Sequence, residues 1–212
     1  MDQKRRRSAR PVLVECTVLL AGLLCCESVG AAQSPLEVIR ATTNQVLNVL
    51  SDPSYQGESN RQKRLRRMWG VILPSFDQQE IAQRSLGIYW RGLTDGQRAH
   101  FTHLFLQLVK NSYSSTLDRH TEDAKVFFDG ERIDGDYAEV YTRILSPEQP
   151  TPFAVVYRLH RKDGRWLVYD IVAENVSLVR NYRTQFYRII GRSSYTKLVQ
   201  TLEEKLKELA AS

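Results

Sequence analysis

Along the chain the apolar positions change period once, and that change separates a helical part from a sheet. Ser34-Pro35-Leu36-Glu37 carries a capping-box pattern with proline at the first helical position, so a helix starts there. Its apolar face is Leu36, Ile39, Thr43, Val46 and Leu50, and Asp52-Pro53 stops it. A second helix is expected over about Ser59–Trp69. A third begins at Ser75-Phe76-Asp77, where Asp77 can cap and Glu80 stands three residues on. Thr94-Asp95-Gly96-Gln97 repeats the capping pattern and opens a long amphipathic helix. That helix uses Phe101, Leu104, Phe105, Leu108 and Val109 and ends near Arg119.

From Lys125 the period becomes two. Val126–Phe128, Tyr137–Leu145, Phe153–Lys162 and Arg165–Ala173 read as strands, separated by Asp-Gly turns and a loop containing Pro147, Pro150 and Pro152. Helices over about Ser177–Ile190 and Ser194–Leu209 close the chain, the second aligning Leu198, Leu202, Leu206 and Leu209. Helices, then an antiparallel meander, then helices predict an α+β fold in one domain over 33–212. Its helical part covers about 34–120, its sheet about 124–174 and its last helices about 176–210.

Asp163-Gly164 is a preferred pair for a two-residue hairpin, and it predicts a register for the last two long strands. Val155 is expected opposite Val172, Tyr157 opposite Asp170, and Leu159 opposite Val168. One face of the hairpin then carries Phe153, Val155, Tyr157, Leu159, Trp166, Val168 and Val172, apolar except for Asp170. The other face mixes Arg158 and His160 with Val156, Leu167, Tyr169 and Ile171.

The N-terminus adds a compartment. Lys4, Arg5, Arg6, Arg7 and Arg10 precede an apolar run from Cys16 to Cys26, followed by Gly30-Ala31-Ala32. This is the pattern of a secretory signal peptide over 1–32, cleaved near Ala31 or Ala32. Glu15 leaves the run too short for a spanning helix, and Leu23 and Leu24 stand where a lipoprotein signal wants small residues. The segment contributes +2 of the formal +6 charge and all three cysteines of the 212-residue chain. The exported remainder is then about +4 and thiol-free, which excludes disulfide and cysteine chemistry in it.

Few residues suggest catalysis. Asp170, on an apolar face beside Tyr157, is eligible as a general base with a raised pKa or as a hydrogen-bonded structural carboxylate. His100 and His103 are three apart on a helix but have no third ligand at useful spacing, and His120 and His160 stand alone. The chain has no zinc-protease, P-loop or nucleophile-elbow motif, and neither metal nor cofactor is expected. Arg61, Lys63, Arg64, Arg66 and Arg67 form the densest basic run after the leader. They suit a solvated helix face, an anionic lipid surface or an acidic protein; export argues against nucleic acid. Arg180, Arg183 and Arg188, around Tyr182 and Tyr187, pose the same alternatives.

The stretch from Trp166 to Phe186 (WLVYDIVAENVSLVRNYRTQF) resembles the MlaC/toluene-tolerance family of periplasmic phospholipid-binding proteins. The family pattern is a W-x-V-Y-D-V strand followed by V-S-L-V-x-N-Y-R-x-Q-F opening a helix. Phe76-Asp77, Leu86-Gly87-Ile88-Tyr89-Trp90 and Gln97-Arg98 with Phe101 match upstream elements. Glu174-Asn175 departs from the usual Glu-Gly, and Gly191-Arg192-Ser193-Ser194 matches its turn loosely. The resemblance implies a half-barrel similar to nuclear transport factor 2 with a helical subdomain, and an apolar cavity holding acyl chains. It implies shuttling of phospholipid between an outer-membrane lipoprotein complex and an inner-membrane transporter with an MCE-domain component, which maintains outer-membrane asymmetry.

A two-chain lipid carries about 30 methylenes, and exposing them costs on the order of 20 kcal/mol at ~0.8 kcal/mol each. A carrier therefore needs a continuous apolar wall and a cover. The hairpin face from Phe153 to Val172 is the candidate wall, with Leu104 and Leu108 facing it. The alternatives are a half-barrel enzyme using Asp170 as base, and a lipid-free adaptor acting through the basic helix.

Overall fold

The computed structural model describes residues 33–120, 124–146 and 149–211; the leader and its cleavage site lie outside them. Ser34 caps α1 (Pro35–Ser51) through both bonds of the capping box, its Oγ accepting from Glu37 N–H and its N–H donating to Glu37 Oε2. α2 (Arg61–Ile72) follows two short turns, and α3 (Gln78–Leu86) starts on the carboxylate of Asp77, which accepts from Glu80 N–H. A 3-10 turn over Gly87–Gly92 leads to α4 (Asp95–His120). The strands β1 (Lys125–Asp134), β2 (Tyr137–Ser146), β3 (Gln149–Lys162), β4 (Arg165–Ala173) and β5 (Val176–Ser177) form an antiparallel sheet in sequence order. α5 (Leu178–Arg192) and α6 (Tyr195–Ala211) complete the chain. The architecture is the expected α+β one, an open antiparallel sheet with packed helices.

Two departures from the expected strands share a cause. The first strand, expected over Val126–Phe128, runs on through a bulge at Asp129-Gly130: Gly130 takes φ 132°, and β1 continues past it to pair with β2 as far as Asp134. A second bulge interrupts the last hairpin. The Asp163-Gly164 turn has φ 50° and 75°, as the two-residue loop requires, and Leu159 sits opposite Val168 as expected. Beyond Val168 the register shifts by one at Tyr169, so Asp170 faces Arg158 and Val172 faces Val156. Because side chains alternate, one extra residue moves the rest of β4 to the other face. Val172 and Asp170 therefore leave the wall on which alternation placed them, and Ile171 and Ala173 take their places opposite Tyr157 and Val155.

The short β5 follows a tight turn at Glu174 (φ 47°) and Asn175 (φ 65°). Asn tolerates the left-handed region better than most residues, which explains why it can stand where glycine is usual.

Three apolar clusters hold the structure. The helical core joins α3, α4, α5 and α6 through Leu86, Trp90, Phe101, Phe105, Tyr182, Phe186 and Leu198. In it Phe105 meets Tyr182 at 4.9 Å and Phe186 at 5.4 Å edge to face, and stacks on Phe101 at 5.8 Å. A sheet core packs Leu36 and Ile39 of α1 on Ala138, Val140, Leu159, Trp166 and Val168. A third cluster joins the far half of α1 (Val46, Val49, Leu50) to Met68 of α2.

Gly87 belongs to the family-like Leu-Gly-x-Tyr-Trp stretch, and its role is visible. Its φ is 54°, and a Cβ there would run into the hydroxyl of Tyr187, which accepts from Ile88 N–H at 3.0 Å. Gly87→Ala should destabilise the protein by about 2 kcal/mol or more, read as a lower Tm or an earlier urea midpoint.

Candidate functional site

The register defines the sheet's inner face residue by residue. β1 contributes Val126 and Phe128, and beyond its bulge Glu131 and Ile133; β2 contributes Ala138, Val140, Thr142 and Ile144; β3 contributes Phe153, Val155, Tyr157 and Leu159. β4 contributes Trp166 and Val168 before its bulge, and Ile171 and Ala173 after it. This face has two halves. Under α1, Ala138, Val140, Leu159, Trp166 and Val168 are buried and form filled core. Toward the other end, Val126, Phe128, Ile144, Phe153, Tyr157, Ile171 and Ala173 are only half-buried. Thr142 and Val155 are buried between the halves, the threonine hydroxyl donating to Val155 C=O at 2.9 Å.

The half-covered end is the candidate site: an apolar, partly open sheet surface whose margin carries Arg40, stacked 4.4 Å over the Phe128 ring. Burial pushes the Tyr157 phenol up to about 12, so it stays neutral throughout the physiological range.

Of the residues expected in the wall, Phe153, Val155, Tyr157, Leu159, Trp166 and Val168 do share one face. Val172 is on the opposite face, next to Val156. Leu104 and Leu108 do not face the sheet; they are buried in the helical core with α3, α5 and α6. The amphipathic stripe showed that they are buried but not against what. Alternation also passed over Val126, Phe128 and Ile144 of the neighbouring strands, and Ile171 and Ala173 beyond the bulge.

Asp170 and Tyr157 lie on opposite faces, so the acid–base pair suggested by alternation does not form. Asp170 is instead a joint: its carboxylate accepts from Ser177 Oγ at 2.6 Å and from Val179 N–H at 3.0 Å, and meets Arg158 at 3.4 Å. It fastens the N-terminus of α5, which Ser177 caps, to the sheet.

Phe76-Asp77 is a second joint. Phe76 packs in both the helical and the sheet cores, and Asp77 N–H donates to Val168 C=O at 2.9 Å. The buried Asp77 carboxylate meets Lys162 Nζ at 2.8 Å and His160 Nε2 at 3.1 Å. Burial works to raise this carboxyl, but the Lys162 and Glu80 hydrogen bonds and the charges of Lys162 and His160 outweigh it, and it is held below its ordinary value. A carboxyl depressed on folding stabilises above its unfolded pKa, about 3.9, and loses that contribution as pH falls through the folded value. Asp77→Asn should therefore flatten the fall in urea-unfolding stability below about pH 4.

The basic run on α2 is partly consumed by the fold. Arg61 and Arg64 pair with the buried carboxylate of Asp118 at 2.9 and 2.6 Å, and Lys63 lies 4.9 Å over the Tyr55 ring. Arg66 and Arg67 are exposed. His100 meets Glu203 at 3.3 Å on the surface. A groove of about 390 Å³ runs between α1, Pro74 and the β3–β4 tip, away from the half-covered end.

The family model described as MlaC protein matches residues 40–204, most of the described chain. The chain belongs to the MlaC family. Among its relatives, the Haemophilus influenzae intermembrane phospholipid transport system binding protein MlaC is 21% identical over 141 residues, 65% of each chain. The Pseudomonas putida toluene tolerance protein ttg2D is 23% identical over 164 residues, covering 77% of this chain and 76% of that one. A phospholipid-binding protein from Ralstonia solanacearum, solved in complex with a phospholipid, superposes with a TM-score of 0.75 at 25% identity. That superposition covers 84% of this chain and 99% of the other. Within this MlaC-family chain, the matching motif residues are partly core, as with Trp90, Phe101, Trp166 and Phe186, and partly joints. Phe76-Asp77 and Asp170 tie helices to the sheet, Gly87 admits Tyr187, and Arg183 Nε donates to Arg84 C=O at 2.7 Å.

Proposed function

We propose that this chain is a periplasmic phospholipid carrier and not an enzyme, seating acyl chains on the half-covered end of the sheet. The observation that carries the reading is that apolar face, Val126 to Ile171, left partly open in a fold whose Ralstonia neighbour was solved with a phospholipid. The Haemophilus relative's name, an intermembrane phospholipid transport system binding protein, supports transport as the purpose of binding. The tails would lie on Phe128, Ile144, Phe153, Val155, Tyr157 and Ile171, and the exposed Arg40 is suited to a headgroup phosphate at the margin. Partners would be an outer-membrane lipoprotein complex and an MCE-domain component of an inner-membrane transporter, with outer-membrane lipid asymmetry as the result. The leader expected over 1–32 supports the compartment.

In this carrier Asp170 is structural: it is buried, and both its oxygens are engaged, Oδ2 by Ser177 and Arg158 and Oδ1 by Val179 N–H. A vesicle assay tests the proposal: purified protein should move a fluorescent phospholipid from donor to acceptor vesicles, at a rate that rises with protein concentration. Transfer no faster than in its absence would count against carriage.

A further inference from the structure

α5 departs from charge balance more than any neighbour. Its 15 residues include Arg180, Arg183, Arg188 and Arg192 and no acid. The adjoining α6 carries Lys197, Lys205 and Lys207 against Glu203, Glu204 and Glu208. Val179, Tyr182 and Phe186 point α5's apolar side into the helical core. At 3.6 residues per turn, Arg180, Arg188 and Arg192 then fall within an exposed arc of about 120° and span roughly 18 Å of the helix. All three are exposed, and among the described residues none has an acidic partner.

The surface continues onto the Gly87–Gly92 turn. Tyr187 of α5 accepts from Ile88 N–H and packs edge to face with Tyr89 at 5.0 Å, so the turn is fixed beside the arginines. Arg91 on this turn is exposed and also lacks an acidic partner among the described residues. Ile88 is 68% exposed, the highest of the exposed large apolar side chains among the described residues. The nearby Glu80 is neutralised by Arg84 at 2.7 Å.

Four unpaired arginines on α5 and the adjoining turn, with one protruding aliphatic side chain on that turn, match an anionic bilayer: the cations meet headgroup phosphates, and the isoleucine enters the interfacial layer. We propose that α5 and the Gly87–Gly92 turn form a docking face for anionic phospholipid membrane surfaces. The face is separate from the acyl-chain seat, and its use in loading or delivery rests on the carrier reading above. An acidic protein would satisfy the arginines too, but it gives no reason for an exposed isoleucine on the adjoining turn.

Co-sedimentation with vesicles of phosphatidylethanolamine and phosphatidylglycerol tests the proposal, with phosphatidylcholine vesicles as the neutral control. The protein should bind the anionic vesicles, more weakly as salt rises, and leave the neutral ones free. Arg188→Glu with Arg192→Glu should lower the apparent affinity by roughly thirtyfold or more, and Ile88→Ala by a few-fold. Arg66→Glu with Arg67→Glu on α2 should leave it unchanged. Equal binding of wild type and the α5 variant, loss of binding in the α2 variant, or no binding by wild type would overturn the proposal. Absence of vesicle binding with capture of an acidic protein by the same arginines would overturn it in favour of a protein partner. Lipid extracted from each variant keeps the two readings apart: the α5 variant should still carry phospholipid. A wild type that binds vesicles but carries none would sink the carrier reading alone.

Discussion

Asp170→Ala should destabilise the protein by about 3 kcal/mol, because it strips the acceptor from a buried backbone N–H and from a hydroxyl and removes an arginine's partner. The carboxylate is 5% exposed and bound to Ser177, Val179 and Arg158, so no water readily replaces it. For a chain of this size that corresponds to a Tm lower by roughly 10 °C. The cost falls on one junction, the docking of α5's first turn onto β4. Asp170→Asn keeps a carbonyl oxygen for Val179 and should cost less than the alanine. An unchanged Tm in Asp170→Ala would show that the junction carries no stability and would reopen a chemical role for the carboxylate.

The second large effect is on cargo. Phe153→Asp puts a charge on the open end of the proposed acyl seat, at a half-buried position opposite Ile144. The fold should tolerate it, since the carboxylate can turn toward water. A methylene chain laid over it cannot, and desolvating an unpaired carboxylate costs well over the ~1.4 kcal/mol that equals a tenfold loss of binding. Co-purified phospholipid per protein should fall at least about tenfold, with Tm lowered by only a few degrees. Leu108→Ala should show the reverse pattern. Its side chain is buried in the helical core, so truncation should cost about 3 kcal/mol while lipid occupancy is kept. If Leu108→Ala empties the protein and Phe153→Asp does not, the seat lies against α4 and the present placement is wrong.

How much was legible in the sequence depended on how local each signal was. Helix starts were legible because a cap is written within four residues: Ser34 with Glu37 and Thr94 with Gln97 make the reciprocal bonds their spacing implies. The Asp163-Gly164 turn likewise set the register as far as Val168. The bulge at Tyr169 lies beyond the turn's reach, and alternation carried across it put Val172 and Asp170 on the wrong face. One clue was present. A carboxylate on an otherwise apolar face is what a slipped register produces, and the slip sends Asp170 to Arg158 and the α5 N-terminus. The first strand was expected to stop at Phe128 and instead bulges at Gly130 and continues, since a glycine that permits a turn also permits a bulge. The partners of the helices were not legible. Leu104 and Leu108 mark the buried side of α4, and the tertiary arrangement gives that side to α3, α5 and α6. The resemblance supplied the family and the fold, and its motif residues prove to be core positions such as Trp90, Phe101, Trp166 and Phe186, with Phe76-Asp77 and Asp170 as fasteners between sheet and helices.

The half-covered sheet is the proposed seat for phospholipid. Organic extraction of protein purified under native conditions, followed by mass spectrometry, tests it most directly. The expected result is intact diacyl phospholipid, near one molecule per protein and depleted in Phe153→Asp. Protein purified from a phospholipid-containing host that yields no phospholipid, and takes none up from vesicles, would contradict it.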